Sequence, residues 1–226
     1  MLAWPPSYNL KVSNKAKYLQ LKIIYNCVLQ VIIPSKQAKK ITPQMIGDLL
    51  ESKKHWINKY LILNPEVALP TELALFNGEL LNVTYQAWHT NTTKLLNQHV
   101  LIKSNDPSKY KILLIKWLKN YAKQVLTPLV HKLAQLTQLI PAKVNVKEQK
   151  NLWGNCSSQK IINLNYKLLF LPLHLVQHVI LHELAHLEQL NHSTKFWNLL
   201  QKLDPHALEN DHQLKSANQY VPRWLF

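Results

Sequence analysis

Hydrophobic positions recur with two different rhythms along this chain. Near the front, YLQLKIIY (18–25) and VLQVIIP (28–34) are short, rich in β-branched residues and separated only by Asn26-Cys27. Runs of that kind with a tight link predict two strands joined as a hairpin. YNLKVS (8–13) offers a third strand before them. Thr42-Pro43 then puts a capping side chain and a proline where a helix would begin. Ile46, Leu49, Leu50, Ile57, Tyr60 and Leu61 follow at helical spacing, so one helix is expected, ending before Pro65.

From Pro65 to Asn105 the pattern is weaker. ELLNVTYQ (79–86) and HVLIKS (99–104) read as strands around the polar stretch HTNTTK (89–94). Asp106-Pro107 opens a long helix through YKILLIKWLKNYAKQVL, which Pro128 should kink or split. AKVNVKEQ (142–149) and KIINLNY (160–166) are further strands, flanking the polar loop NLWGNCSSQ (151–159). The helical period returns at Leu173, and a shorter helix, TKFWNLLQKL (194–203), ends before Pro205. Strands, helix, strands, long helix, strands and two helices predict an α+β fold. The front is a β-hairpin or sheet region with one helix. The division of the chain is expected at 104/105, giving an N-terminal β-rich region (1–104) and a C-terminal α+β core (105–226).

Composition narrows the class. Hydrophobic residues are 47 % and charged residues 17 %, which is globular rather than disordered. The most apolar long window, beginning at Leu168, contains Pro172, four histidines and Glu183, so a membrane span is not expected. The opening MLAWPPSYNL has neither the basic nor the apolar region of a signal peptide. Cys27 and Cys156 are far apart and imply no disulfide framework, which points to a reducing, cytoplasmic setting. The formal charge of +15 is carried almost wholly by lysine. Such an excess gives a basic surface that suits a polyanion, nucleic acid included. A dedicated phosphate binder would use more arginine, whose planar fork grips phosphate in two places.

The chemistry is concentrated in HELAHLEQLNHSTKFW, which starts at His182. His182 and His186 are four residues apart, so a helix puts them on one face, one turn apart. Two imidazoles so placed can share one ion, and Glu183 is placed to take a proton from water beside it. His192 lies just past a turn expected at Asn191, where asparagine tolerates the left-handed conformation. It can complete a three-histidine shell around one zinc ion with a corner left open, as catalytic zinc requires. His174 and His178 continue the same stripe toward the N-terminus. With about 5.4 Å per turn, one ion cannot reach all four, so His178 reads as a packing or supporting residue.

These residues resemble the YgjP-like metallopeptidase family, which is close to the WLM and SprT-like zincins. That family carries HELxH, then NHS, then FW. Here His182-Glu183-Leu184, His186, Asn191-His192-Ser193 and Phe196-Trp197 match. Upstream, the family's RWGSCS is met by LWGNCS, with Trp153, Gly154, Cys156 and Ser157 in place and Asn165 ending the next strand. Lys53, Trp56 and Ile57 match a pattern in the front helix. The resemblance implies a zincin-like C-terminal core with one zinc ion on His182, His186 and His192, Glu183 as general base and acid, and a peptide or protein as substrate. It also implies a substrate cleft bordered by Trp153, Gly154, Asn155 and Asn165. Leu152 stands where the family has arginine, Asn155 where it has serine, and His178 where it has tyrosine. Two rival activities share the motif. One is a metal-dependent nucleotide phosphohydrolase, although the chain lacks a glycine-rich phosphate loop. The other is a nucleic-acid-associated protease module of the SprT-like kind.

Overall fold

The computed structural model describes residues 4–5, 8–24, 28–63 and 68–226. It divides into two compact units, Met1–Ala68 and Leu69–Phe226. The expected link at Asn26-Cys27, the end of the front helix before Pro65, and Cys27 itself fall outside the described residues.

In the first unit, β1 (Tyr8–Ser13), β2 (Gln20–Ile24) and β3 (Val28–Pro34) form one sheet in the order β1-β3-β2. The β2–β3 pair is antiparallel, as a hairpin requires, and β1 adds in parallel on the other side of β3. Alternation along β3 buries Leu29, Val31 and Ile33. These pack with Ile46, Leu50 and Ile57 into one small core. Thr42 caps the next helix: its side chain accepts from the Met45 N–H at 3.3 Å, and Pro43 is the first helical residue. The single helix expected here is in fact two, α1 (Pro43–Ser52) and α2 (Lys54–Leu63). They break at Lys53, whose φ and ψ of −107° and 10° leave the helical region.

In the second unit, β4 (Glu72–Ala74), β5 (Leu80–Ala87), β6 (Thr92–Leu96) and β7 (His99–Ser104) form a sheet in the order β4-β5-β7-β6. β4 and β6 escape the sequence pattern. β4 is three residues long, and β6 overlaps the polar stretch that reads as a loop. A short 3-10 turn, Pro107–Lys109, leads into α3 (Tyr110–Thr137). The Asp106 side chain accepts from the Ser108 N–H at 3.0 Å and starts that turn. α3 runs through Pro128 without splitting. Leu114, Leu118, Leu126 and Val130 on its inner face join Leu81, Val83, Val100 and Ile102 of the sheet in one large core. That shared core is why the units divide after Ala68 rather than at 104/105: residues 69–104 bury their apolar side against α3.

β8 (Lys143–Lys147), β9 (Gly154–Cys156) and β10 (Ile161–Asn165) form a third sheet, ordered β8-β10-β9. β10 is parallel to β8 and antiparallel to β9. β9 lies inside the segment expected to be a loop. Behind a 3-10 turn (Tyr166–Phe170) come α4 (Leu173–Ala185), α5 (Thr194–Leu203) and α6 (Ala207–Leu214). α6 is not marked by the hydrophobic pattern because only Ala207 and Asn210 are buried on it. Among the described residues, no helix is long and apolar enough to cross a membrane.

Candidate metal centre

α4 begins at Leu173, with Pro172 at its N-cap, and it is buried along most of its length. Apolar burial fixes Val179, Ile180, Leu181, Leu184 and Ala185. The polar residues carried among them, His178, His182 and Glu183, therefore enter the interior at fixed positions. The His186 N–H donates to the His182 carbonyl at 3.2 Å, which keeps the two imidazoles one helical turn apart although α4 ends at Ala185. The chain then turns at once, with Leu187 N–H on the Leu184 carbonyl and Gln189 N–H on that of Ala185. Asn191 does not adopt the left-handed conformation expected of it; the reversal is made from right-handed turns.

That turn brings His192 back. Its Nε2 lies 3.0 Å from His182 Nε2. One ring nitrogen from each of His182, His186 and His192 falls within 4.8 Å of the other two. Phe196 of α5 closes the inner side, with its ring centre 4.9, 4.5 and 4.8 Å from those of the three imidazoles. Phe196 is fully buried. The His186 Nδ1 meets the Gln189 carbonyl at 2.8 Å. Nδ1 must therefore carry the proton, which turns the lone pair of Nε2 outward as a ligand.

Electrostatics favour neutral rings. Burial, with the neighbouring imidazoles adding to it, depresses His182 to about 3. Burial also lowers His186, against a smaller opposing effect from the Gln189 carbonyl. Neutral imidazoles have lone pairs to give, and ligand nitrogens on a tetrahedral ion at about 2.0–2.1 Å lie about 3.3 Å apart. Glu183 beside them is 5 % exposed, and burial pushes its carboxyl up to about 8. Its Oε2 is buried without a hydrogen-bond partner among the described residues. An orphaned buried oxygen is costly unless something arrives to use it. Three convergent lone pairs and an orphaned carboxyl oxygen fit a divalent cation with water.

The residues expected to border a cleft have distinct surroundings. Gly154 lies against Glu183, so close that a Cβ there would sit 2.7 Å from Oε1. Asn155 accepts from Asn163 at 2.8 Å, and Asn163 in turn accepts from Asn145 at 3.1 Å, a row of amides across the sheet. Asn165 is tied to the backbone: Nδ2 donates to the carbonyls of Gln149 and Leu152, both at 2.9 Å, and Oδ1 accepts from Lys167 N–H. Trp153 is half-buried against the large core. Cys156 carries a free thiol, raised to about 11 by burial and then by the Glu183 charge. His174 lies away from the cluster and meets Gln213 at 3.0 Å. His178 is wholly buried, with Nδ1 2.6 Å from the Asp204 carboxylate. Asp204, at the end of α5, and Asp211, on α6, carry no signal in the sequence motif; only the packing of α4 against α5 and α6 brings them near.

The chain belongs to the YgjP-like metallopeptidase family, whose domain model matches residues 17–217. No curated protein matches it. A similar solved structure is the metallopeptidase zymogen of Pyrococcus abyssi abylysin, 24 % identical, covering 42 % of this chain and 96 % of that one at a TM-score of 0.39.

Proposed function

We propose that this chain is a zinc-dependent peptidase in which His182, His186 and His192 hold the ion and Glu183 moves the proton. The observation that carries this reading is the convergence of three imidazoles beside a buried carboxyl group with an orphaned oxygen. The ion, when bound, supplies Lewis acidity that polarises a scissile carbonyl and acidifies water. Glu183 Oε2 accepts the proton of the attacking water and passes it to the leaving amine. A positive charge nearby brings the raised carboxyl back toward ionisation, so Glu183 is a base only in the loaded site. β9 is an edge strand, with β10 on one side and no partner strand on the other among the described residues. An extended substrate can add along that open edge by backbone hydrogen bonds. Gly154 on β9 touches Glu183, which brings such a strand next to the proton acceptor. A three-stranded sheet beside the motif helix supports a zincin-like core. The widely spaced cysteines suit a cytoplasmic location.

The test is Glu183→Gln, with zinc content and cleavage of an unfolded polypeptide measured side by side. The expected variant retains zinc and loses about 10²–10⁴ in turnover. Full activity in that variant, or hydrolysis of nucleoside triphosphates in place of polypeptide by the native protein, would overturn the reading.

A further inference from the structure

All twelve acidic residues of the chain lie at or beyond Asp48, whereas residues 1–47 carry seven lysines. The fold of the first unit gathers those lysines. Along β3, Leu29, Val31 and Ile33 turn into the small core, so Gln30 and Ile32 face the other way. The register extends that outer face over both neighbouring strands. Asn9, Gln30 and Lys22 form one row across it, and Lys11, Ile32 and Gln20 form the next. The face is flat and carries amides and ammonium groups but no carboxylate.

The strand ends add to it. β1 and β3 run parallel, and β2 runs against them. The β1–β2 connection and the segment after Pro34 therefore leave the sheet at the same end. The first brings Lys15 and Lys17 there, and the second brings Lys36, Lys39 and Lys40. Tyr18 stands at that end too, 76 % exposed. All seven lysines are exposed, and among the described residues none of them forms an ion pair. The next acids along the chain, Asp48 and Glu51, are on α1, which packs against the opposite, core face through Ile46 and Leu50. Glu51 is already held, by Lys54 at 2.7 Å and by the Trp4 indole at 2.6 Å.

We propose that this outer face and its lysine-bearing end bind single-stranded nucleic acid. The ammonium groups meet phosphates, and Tyr18 offers a ring on which a base stacks. Lysine acts as a point charge rather than a planar fork, so binding carries no sequence preference. A duplex is read by an element that enters a groove, and a flat face supplies none. An anionic bilayer requires apolar side chains set among the cations. Here the exposed apolar residues of β1, Tyr8, Leu10 and Val12, pair with Leu29, Val31 and Ile33. They therefore lie on the core side of the sheet, away from Lys11 and Lys22. Binding at this surface requires neither the ion nor Glu183.

The test is fluorescence anisotropy of the full chain with a labelled oligothymidylate of about 16 nucleotides, over a range of salt. Log affinity is expected to fall linearly with log salt. Lys15→Gln/Lys17→Gln/Lys36→Gln is expected to reduce that slope by about 2 and to weaken binding about tenfold or more. Lys116→Gln/Lys123→Gln/Lys132→Gln removes the same charge from exposed positions of α3. It is expected to change affinity by less than about threefold, because salt screens distant charges. Tyr18→Leu is expected to weaken binding about fivefold or more with the slope unchanged, and Tyr18→Phe to retain native affinity. The proposal is overturned if the native chain does not bind the oligonucleotide, or if the α3 variant loses as much as the sheet variant. It is equally overturned if Tyr18→Leu binds like the native chain. Tighter binding to duplex DNA, to phosphatidylserine vesicles or to polyglutamate also overturns it, and the last two would identify a membrane or an acidic protein as the partner. Urea unfolding checks that each variant folds; should Tyr18→Leu not fold, the two lysine variants decide.

Discussion

Gly154 and Glu183 share a space in which only a hydrogen atom fits. A Cβ at position 154 would lie 2.7 Å from Glu183 Oε1, 2.9 Å from its Cγ and 3.0 Å from its Cδ. The Gly154 φ is not in the positive range, so conformational freedom is not what calls for glycine here. The requirement is proximity: the edge strand β9 runs directly over the carboxyl group.

Gly154→Ala should therefore displace the Glu183 side chain, which is buried and has little room to move. Overpacking of this kind costs about 1–3 kcal/mol of stability. Cleavage should fall by more than about tenfold, while zinc stoichiometry stays at the native value because no histidine is touched. Parallel zinc analysis and kinetics check this, and a fully active Gly154→Ala would show that Glu183 need not occupy its present place.

The pH dependence of the metal-free protein isolates Glu183. Its pKa rises from 4.5 to about 8 on folding. Its contribution to stability is full below 4.5 and is lost as pH rises through about 8, because the folded state holds a proton that the unfolded chain has released. His182 has the reverse sign: its pKa falls from 6.5 to about 3, so its contribution is full above 6.5 and lost as pH drops toward 3. Between pH 6.5 and 8 the histidine is silent and Glu183 alone of the two still titrates. The melting temperature of the metal-free protein should decline across that window. Glu183→Gln should remove the decline. Equal slopes in calorimetry of both proteins would mean that the carboxyl is not held neutral.

Pro128 gives a prediction far from any chemistry. It sits exposed inside the continuous helix α3, where it cannot donate to the Gln124 carbonyl. Gln124 is also exposed, so water takes that carbonyl and the helix survives. Pro128→Ala restores the bond and removes the ring clash, at the cost of a freer unfolded chain. The net effect should be about 1–2 kcal/mol of added stability, read as a higher urea midpoint. A lower midpoint would show that the proline is held in place by something other than tolerance.

The same contrast between local and remote causes decides what the sequence could show. β1, β3, β7 and α5 have the boundaries that their residue pattern predicts, because each is set by alternation or helical period within itself. His182 and His186 could be paired from the sequence for a related reason: the four-residue spacing is a local property of a helix, whereas His192 reaches them only through the turn after α4. β9 was not legible, since Gly-Asn-Cys has no alternation and is a strand only because β10 pairs with it. The break at Lys53 follows no glycine or proline. His178 and Asp204 are 26 positions apart, and nothing in either neighbourhood announces the other. The function of Gly154 is a distance to Glu183, which no spacing along the chain encodes.

Phe196 joins the two kinds of cause. It belongs to α5, whose helical period is visible in the sequence, yet its ring is the common wall of three imidazoles, 4.5 Å from His186 and under 5 Å from the other two. A fully buried phenylalanine cut to alanine costs about 3–5 kcal/mol. Here the void would also let His182 and His192 relax away from one another. Phe196→Leu keeps most of the volume and should cost less than about 1.5 kcal/mol, but it loses the flat face on which the His186 ring stacks at 26°. Zinc affinity should therefore fall by about tenfold or more in Phe196→Leu, out of proportion to its loss of stability. Zinc titration against a competing chelator, set beside urea unfolding of the metal-free protein, separates the two effects. An affinity that follows stability alone would reduce Phe196 to core packing, and one that falls while the fold holds would identify it as the support on which the three ligands converge.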